Sequence, residues 1–191
     1  MSLILRTALE SDLAFAEEIS QLYKLSAEER GTGIAQRSPK YVGEKILSGN
    51  SIISFIAEEF AGFCYVETFS DGSYVSNSGL IVKSKFRGNG LARKIKLKAV
   101  NLARDKYPQA KLFGITTSDV VMKINSELGY IPVPLHKLTQ DDEFWNGCSS
   151  CKNFNILQQN DKKMCLCTGM LAPSKEELNT KQENKKINEN L

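Results

Sequence analysis

The sequence predicts an α/β domain in which strand-like and helical segments alternate. Residues 51–57 and 61–69 are interpreted as alternating strands, and residues 74–82 as a third strand. A basic loop with two glycines joins the last of these segments to an amphipathic helix that begins near Gly90. With 191 residues, 41% of them hydrophobic, one core can bury about 70% of the unfolded surface.

The first part of the chain predicts a strand, two helices and a polar connection. Residues 4–8 are typical of a short strand, and Ser11 can cap a helix over residues 12–19. Residues 26–37 are polar and contain two glycines, which favours a loop. A second helix is predicted after Ser38, because a proline suits the first helical position.

The middle of the chain predicts an antiparallel meander followed by a long helix. The three strand-like segments are close in sequence, and Asp71-Gly72 favours a hairpin turn before the third. The helix from Gly90 to about Lys106 presents one apolar stripe, and Pro108 ends it.

The C-terminal part predicts smaller additions to this domain. Residues 111–115 are typical of a strand and residues 118–128 of a helix, and the prolines in residues 130–138 indicate an edge strand or a bulge. We expect residues 139–172 to form an added β-hairpin packed on the domain of residues 1–138. Residues 173–191 are charged and lack aromatic residues, a composition that predicts disorder.

Composition excludes several classes of protein. The net charge of +3 is the small difference between 25 basic and 22 acidic residues, so nucleic-acid binding is not expected. The longest apolar stretch, residues 52–57, is far too short to span a membrane. An odd number of cysteines fits a reducing compartment. We expect a cytoplasmic protein with no nucleic-acid or membrane partner, and leave a homodimer open.

The junction at residues 80–92 suits a bound pyrophosphate. Its glycines let the backbone approach a ligand, and the first N–H groups of the next helix point outward at the positive end of the helix dipole. Among the nearby basic residues, only Arg87 and Arg93 flank the turn, and we assign these two to phosphate. The alternative is an ordinary turn between strand and helix with a solvated basic residue.

This segment resembles the acyl-CoA-binding motif of the GNAT acetyltransferases. Arg87-x-x-Gly90-x-Ala92 fits the Q/R-x-x-G-x-G/A core of that motif, and Leu80-x-Val82 fits the strand before it. Two other segments are also similar to this family: Arg6-x-Ala8 with Asp12, and Leu128-Gly129-Tyr130.

The resemblance implies a central mixed, largely antiparallel sheet flanked by helices, and an N-acetyltransferase that uses acetyl-CoA. An amine would attack the thioester directly, without an acyl-enzyme intermediate, so Cys64 need not be a nucleophile. There is a weaker similarity to short bacterial acetyltransferases linked with amino-acid and arginine biosynthesis, which makes glutamate a candidate acceptor. A rival hypothesis is a non-catalytic acyl-CoA sensor or partner-binding module.

The resemblance also assigns the coenzyme-binding residues. Backbone groups near Leu80 and Val82 would hold the pantetheine arm, and Val82 would polarise the thioester carbonyl. The family often has a tyrosine acid and an asparagine where this chain has Asn125 and Ser118. Asn125 cannot donate an acidic proton, although it can hydrogen-bond a thiolate or a water. The expected coenzyme site comprises Leu80, Val82, Arg87, Gly88, Asn89, Gly90, Leu91, Ala92, Arg93 and Ser118.

The acceptor half of the site is less defined. Glu67 is the carboxylate closest in sequence to the thioester strand and a candidate general base, with a surface glutamate as the alternative. In the GNAT fold the connection between the first two helices borders the acceptor, so Arg30 and Arg37 could hold an acidic substrate, or could be solvated. His136, the only histidine, is a weaker candidate base because it could be structural.

The acceptor amine itself sets how strong a base is needed. At pH 7 an α-amine with a pKa of about 8 needs about 1 kcal/mol to lose its proton, and a lysine side chain about 4.6 kcal/mol. We therefore favour a small amino acid or a peptide terminus.

Four cysteines cluster near the C-terminus in the pattern Cys148-x-x-Cys151 and Cys165-x-Cys167. Four soft ligands at such spacing suggest a structural zinc ion. Reduced thiols in a packed hairpin and a regulatory disulfide are the alternatives.

Overall fold

The computed structural model describes residues 2–31 and 34–189, except for the side chains of Arg30 and of residues 185–189. In this part of the chain the strands are β1 (Leu3–Thr7), β2 (Ser51–Ile56), β3 (Glu59–Phe69), β4 (Tyr74–Val82), β5 (Lys111–Thr116), β6 (Ile131–Val133) and β7 (Thr168–Ala172). The helices are α1 (Ala16–Arg30), α2 (Pro39–Leu47), α3 (Leu91–Lys106), α4 (Asp119–Glu127), α5 (Asp142–Asn146), α6 (Phe154–Gln159) and α7 (Lys175–Glu189).

One 7-stranded sheet with the order β1-β2-β3-β4-β5-β7-β6 organises the fold. Neighbouring strands are antiparallel except β4 and β5, which are parallel. Core residues on one face pack against α3, and those on the other face pack against α1 and α2. The predicted mixed, largely antiparallel sheet flanked by helices is confirmed.

The strands β4 and β5 separate after a short parallel pairing. The last paired residues are Ser76 of β4 and Phe113 of β5. Further along β4, the register with β3 shifts between Phe63 and Tyr65, and Gly79 there has a φ of +63°. A Cβ atom at Gly79 would lie 2.3 Å from the Tyr65 ring, so this bulge requires glycine. The result is a gap between β4 and β5.

The meander and the helix predicted after Ser38 are confirmed. The strands β2, β3 and β4 follow one another as antiparallel neighbours. Ser38 caps α2 by accepting the Tyr41 N–H at 3.2 Å. β6 contains Pro132 and lies at the edge of the sheet, as its prolines predicted.

The first helix differs from the prediction. A 3-10 turn over Glu10–Phe15 precedes α1, and α1 continues to Arg30 through residues expected to form a loop. Ile19, Tyr23 and Ser26 are fully buried at helical spacing along α1, so the polar residues between them occupy its outer face. Gly31, with a φ of +60°, ends the helix.

The expected hairpin over residues 139–172 is wrong. That segment forms α5 and α6, and its last strand, β7, inserts between β5 and β6 in the main sheet. The reason is aromatic packing: Trp145 is fully buried, and Phe144 stacks edge-on against Phe69 and Phe113 of the sheet. Cys165 and Cys167 precede β7 and are not part of a strand.

Helix α7 occupies residues for which disorder was predicted. Ser174 and Glu177 form a capping box, in which each backbone N–H donates to the other side chain, at 2.8 and 3.1 Å. Lys175 contacts Asp105 of α3 at 2.8 Å, and Lys111 of β5 contacts Glu177 at 3.5 Å. These polar contacts attach the start of α7 to the domain.

Candidate functional site

The loop before α3 presents a row of backbone donors. Gly88 and Gly90 have φ values of +83° and +73°, which only glycine adopts without strain. Among the described residues, the N–H groups of residues 88–93 have no hydrogen-bond acceptor, whereas the next one, that of Lys94, donates to the Gly90 oxygen at 3.2 Å. Together with the dipole of α3, these groups form an anion-binding surface.

The two arginines expected to contact phosphate are engaged elsewhere. Arg87 Nε donates to the Val82 oxygen at 3.0 Å, and Nη1 and Nη2 lie 3.2 Å from Glu29 and Ser26 of α1. Arg93 pairs with Glu127 of α4 at 2.8 Å. The backbone of the loop therefore offers its donors without either guanidinium.

The other predicted loop residues contribute mainly through their backbone. Leu91 is buried in the core and Ala92 packs against it, while the Asn89 amide donates to the Arg87 oxygen at 3.4 Å. Their side chains fix the turn, and their N–H groups face outward.

Val82 presents its peptide group to the gap between β4 and β5. The N–H of Lys83 donates to Ala61 of β3 at 2.9 Å. Because the peptide groups of a strand point alternately to its two sides, the Val82 N–H points away from β3. Leu80, half-buried beside the bulge, lies on the same stretch of β4. The gap thus has a backbone donor where a ligand arm could lie.

Ser118 and Asn125 lie at the two ends of α4. Ser118 caps the helix, accepting the Val121 N–H at 3.4 Å. Asn125 is 1% exposed; its amide nitrogen lies 3.4 Å from the sulfur of Met170, and its Oδ1 has no partner among the described residues. Asn125 thus has a buried acceptor available but no acidic proton.

Glu67 lies on the opposite face of the sheet, next to α2. Its carboxylate accepts a hydrogen bond from Tyr41 at 2.9 Å and forms an ion pair with Lys45. Burial and the neighbouring Tyr65 and Glu67 raise the pKa of Tyr41 well above its usual value. Tyr41 therefore keeps its proton and donates a hydrogen bond to Glu67.

Arg37 lies beside Glu67 in an aromatic setting. Its guanidinium is 4.9 Å from the Tyr23 ring centroid, and Nε donates to the Tyr65 hydroxyl at 2.8 Å. Burial alone would lower the pKa of Arg37, but the phenolic groups of Tyr65 and Tyr23 raise it further, so Arg37 stays charged. Arg30 ends α1, and its side chain lies outside the described residues.

The tyrosines around Arg37 were missed from the sequence. Tyr23 also donates a hydrogen bond to the Gly79 oxygen at the bulge. Tyr65 and Glu67 are separated by one residue in β3, so strand alternation could have placed them on one face. The approach of Tyr23 from α1 has no local signal.

Two other candidates lie away from this arrangement. His136 is exposed in the short 3-10 turn Leu135–Lys137. Cys64 is fully buried, and burial raises the pKa of its thiol to about 11. A protonated thiol is a poor nucleophile.

The four clustered cysteines line one cavity of about 20 Å³. They are free thiols, and burial, reinforced by the neighbouring thiols, raises the pKa of Cys148 to about 11 and of Cys167 to about 12. Among the described residues, no group of three or more His, Cys, Asp or Glu is arranged to hold a metal ion. The raised pKa values keep the thiols of Cys148 and Cys167 protonated at neutral pH.

The cysteine cluster also borders the connection between α1 and α2. The hydroxyl of Ser150, between Cys148 and Cys151, accepts the backbone N–H of Gln36 at 2.9 Å. Gln36 precedes Arg37, and the charge of Arg37 acts on the Cys148 thiol.

Comparison with known proteins identifies the fold class. No family model matches the chain, and no curated protein is similar to it in sequence. Solved structures do match. The N-acetylglutamate synthase from Neisseria gonorrhoeae, complexed with coenzyme A and N-acetyl-glutamate, aligns with a TM-score of 0.65 at 16% identity over 91% of this chain and 35% of that one. This chain is thus about a third as long as that synthase.

Two matches agree more closely in length. A GNAT phosphinothricin acetyltransferase from Sinorhizobium meliloti, in complex with acetyl-CoA, has a TM-score of 0.61 at 14% identity over 92% of this chain and 90% of that one. The PaiA N-acetyltransferase from Thermoplasma acidophilum, in complex with coenzyme A, has a TM-score of 0.58 at 12% identity over 91% and 99%. This chain has the fold of the GNAT acetyltransferases.

No helix in the described part of the chain is long and apolar enough to cross a membrane.

Proposed function

We propose that this protein is an N-acetyltransferase that moves the acetyl group of acetyl-CoA to the amine of a small amino acid. The observation that carries this proposal is the row of N–H groups at residues 88–93, next to the gap between β4 and β5. A diphosphate would satisfy these donors, and an extended arm would lie beside β4, where its pairing with β5 ends. The complexes of structural neighbours with coenzyme A or acetyl-CoA support this assignment.

The coenzyme would be held mainly by backbone groups. Residues 88–93 would bind the diphosphate, and the backbone of Leu80 and Val82 would bind the pantetheine arm that leads to the thioester. Arg87 would act through its contact with the Val82 oxygen. Ser118, which caps α4, is the remaining proposed contact to the coenzyme.

We propose that the acceptor carries a carboxylate and that Arg37 binds it. In the described residues, Arg37 uses Nε and Nη1 in contacts to Tyr65 and Ala35, while Nη2 has no acceptor. Glutamate is the first candidate, because the Neisseria gonorrhoeae synthase was solved with N-acetyl-glutamate. Arg30 is a second candidate contact from the end of α1.

Glu67 is the proposed general base for the acceptor amine. Its carboxylate is linked to Arg37 through the hydroxyl groups of Tyr41 and Tyr65, and its contacts to Tyr41 and Lys45 hold it in place. An α-amine needs only about 1 kcal/mol to lose its proton at pH 7, so a weak base suffices.

Attack of the amine on the thioester carbon would displace the coenzyme thiolate directly. Cys64 is buried and protonated, which argues against an acyl-enzyme intermediate on this residue.

A non-catalytic acyl-CoA-binding module is the alternative, favoured by the lack of an acidic proton on Asn125. Two measurements separate the hypotheses: calorimetry with acetyl-CoA, and release of coenzyme thiol with a panel of amino acids and peptides. We expect binding and turnover with glutamate or a related amino acid. Binding without turnover for any amine would favour the module, and absence of binding would refute both.

We also propose that Cys148, Cys151, Cys165 and Cys167 take up a structural zinc ion. All four line one cavity, and Cys151 accepts the Asn153 N–H at 3.4 Å, a contact that also suits a zinc-bound thiolate. Because zinc is ligated by thiolates, binding would release protons from the cysteines and draw the sulfur atoms together. Elemental analysis should find about one zinc per chain. A metal-free sample with an unchanged melting temperature in chelator would refute this proposal.

A further inference from the structure

Lys96 is a buried cation without a counter-charge. It lies on the sheet-facing side of α3 with 2% of its surface exposed. Its ammonium donates to the backbone oxygen of Asn77 at 3.2 Å, and no carboxylate among the described residues pairs with it. Burial lowers its pKa. An unpaired charge in the core destabilises the folded protein. The presence of Lys96 at this buried position therefore points to a function.

The ammonium lies at the apex of the gap, the point where β4 and β5 stop pairing. Asn77 directly follows Ser76, the last residue of β4 that pairs with β5. Gly114 of β5 faces the same carbonyl, because a Cβ atom on Gly114 would lie 3.6 Å from the Asn77 oxygen. Lysine has three N–H donors, so two remain available to a group that enters the gap.

Other buried polar atoms at this apex also lack partners. Among the described residues, neither Asn77 Nδ2 nor the Tyr130 hydroxyl has a hydrogen-bond partner, and both are buried. The Tyr130 ring centroid is 6.0 Å from Lys96 Nζ, and Cys64 Sγ of β3 lies 3.0 Å from Asn77 Oδ1. Cys64 and Tyr130 are the titratable groups that face Lys96, and Arg104 of α3 lies beside Tyr130. Unpartnered buried donors are typical of a site that receives a ligand or water.

The thioester end of acetyl-CoA would also lie at this apex. This placement rests on the proposed function. Lys96 lies about 9 Å along α3 from Gly90, at 1.5 Å per residue. Along β4, the distance from Val82 to Asn77 is about 16 Å, at 3.3 Å per residue. An arm that starts at the diphosphate loop and follows β4 from Val82 therefore brings its thioester towards Lys96.

We propose that Lys96 is the acid that protonates the departing coenzyme thiolate. The acceptor nitrogen bonds to the carbonyl carbon, and the carbon–sulfur bond breaks with its electron pair on sulfur. Lys96 Nζ transfers a proton to this sulfur and becomes a neutral amine, which regains a proton from water. The surplus proton of the acceptor nitrogen leaves through Glu67 to solvent. Lys96 thus supplies the proton that Asn125 cannot.

The first test replaces Lys96 by methionine, which keeps the length of the buried stem and removes the charge. Lys98→Met, on the same helix, is the matched control. We expect Lys96→Met to lower kcat by about 100-fold or more and to leave acetyl-CoA affinity within about threefold. The kcat of the wild-type protein should fall at alkaline pH as Lys96 loses its proton. The Lys96→Met variant should lack this fall.

The second test does not need turnover. A nearby ammonium should lower the thiol pKa of bound coenzyme A, measured by the ultraviolet absorbance of the thiolate, and Lys96→Met should raise it again. Coenzyme binding with the same thiol pKa in both proteins would overturn the role of Lys96 alone, even if kcat fell. An unchanged kcat in Lys96→Met would also overturn it. Absence of coenzyme binding in the wild-type protein would instead refute the proposed function.

Discussion

Replacing Arg37 by lysine tests the acceptor half of the site. Lysine keeps the positive charge but loses the planar set of donors that lets a guanidinium bind Tyr65, the Ala35 oxygen and a carboxylate together. A lysine ammonium in this position would have to choose among these partners. The variant should therefore lose the contact to the acceptor while the local charge is unchanged.

The size of this effect follows from the one contact removed. A hydrogen bond to a charged group contributes about 1.5–3 kcal/mol, so kcat/KM for glutamate should fall by about 10-fold to 140-fold. An amine without a carboxylate should react equally well with both proteins. Acetyl-CoA affinity should not change, because Arg37 lies on the face of the sheet that packs against α1 and α2, away from α3.

The assay is thiol release with glutamate and with a carboxylate-free amine of similar length. Ser20→Ala is the matched control, because it removes the 2.7 Å hydrogen bond to the Arg37 backbone oxygen and keeps the guanidinium. An equal loss for both amines in Arg37→Lys would refute carboxylate recognition by Arg37. An undiminished kcat/KM for glutamate would refute it too.

Two further predictions concern the loop and the first strand. Gly90→Ala, at a φ of +73°, should cost about 1–2 kcal/mol of stability and weaken acetyl-CoA binding measured by calorimetry. The control Gly31→Ala, at a φ of +60°, should carry the same backbone strain and leave acetyl-CoA binding unchanged. Equal binding by both variants would contradict a role for the loop. Asp12 accepts hydrogen bonds from Arg6 and the Leu9 N–H, and although its burial acts in the opposite direction, these bonds lower its pKa. The stabilisation by Asp12 should therefore be complete above the unfolded-state pKa of about 3.9 and be lost as the pH falls through the lower folded-state value. Urea unfolding of Asp12→Asn and wild-type protein should show a stability difference that is constant at neutral pH and shrinks in acid, and a difference independent of pH would contradict this reasoning.

The parts of the fold that were predicted correctly have local causes. The strands β2, β3 and β4 are rich in apolar residues and are joined by short turns, and α2 has its own cap in Ser38. Such signals act between neighbours in sequence, so the sequence alone indicates them. The row of donors at residues 88–93 also follows from a local pattern, two glycines before a helix.

The parts that were predicted wrongly depend on contacts between distant residues. Whether residues 139–172 form a hairpin or helices depends on Phe144 and Trp145 meeting Phe69 and Phe113, which no local pattern indicates. The continuation of α1 likewise depends on burial of Ser26, a polar residue that receives the Arg87 guanidinium at 3.2 Å. The burial of Lys96 likewise depends on a distant contact, the one to the Asn77 oxygen of β4.

The contacts of Arg87 within the protein are not indicated by the motif in which it lies. From the motif we expected the Arg87 side chain to contact phosphate. In the structure its guanidinium links the Val82 oxygen at the end of β4 to Ser26 and Glu29 of α1. These contacts fix the last peptide of β4 relative to the start of the loop. The N–H groups of residues 88–93 are thereby aimed outward before any ligand binds, and an anion gains their full interaction without first ordering the loop. Arg87 is therefore best understood as the residue that positions the donors.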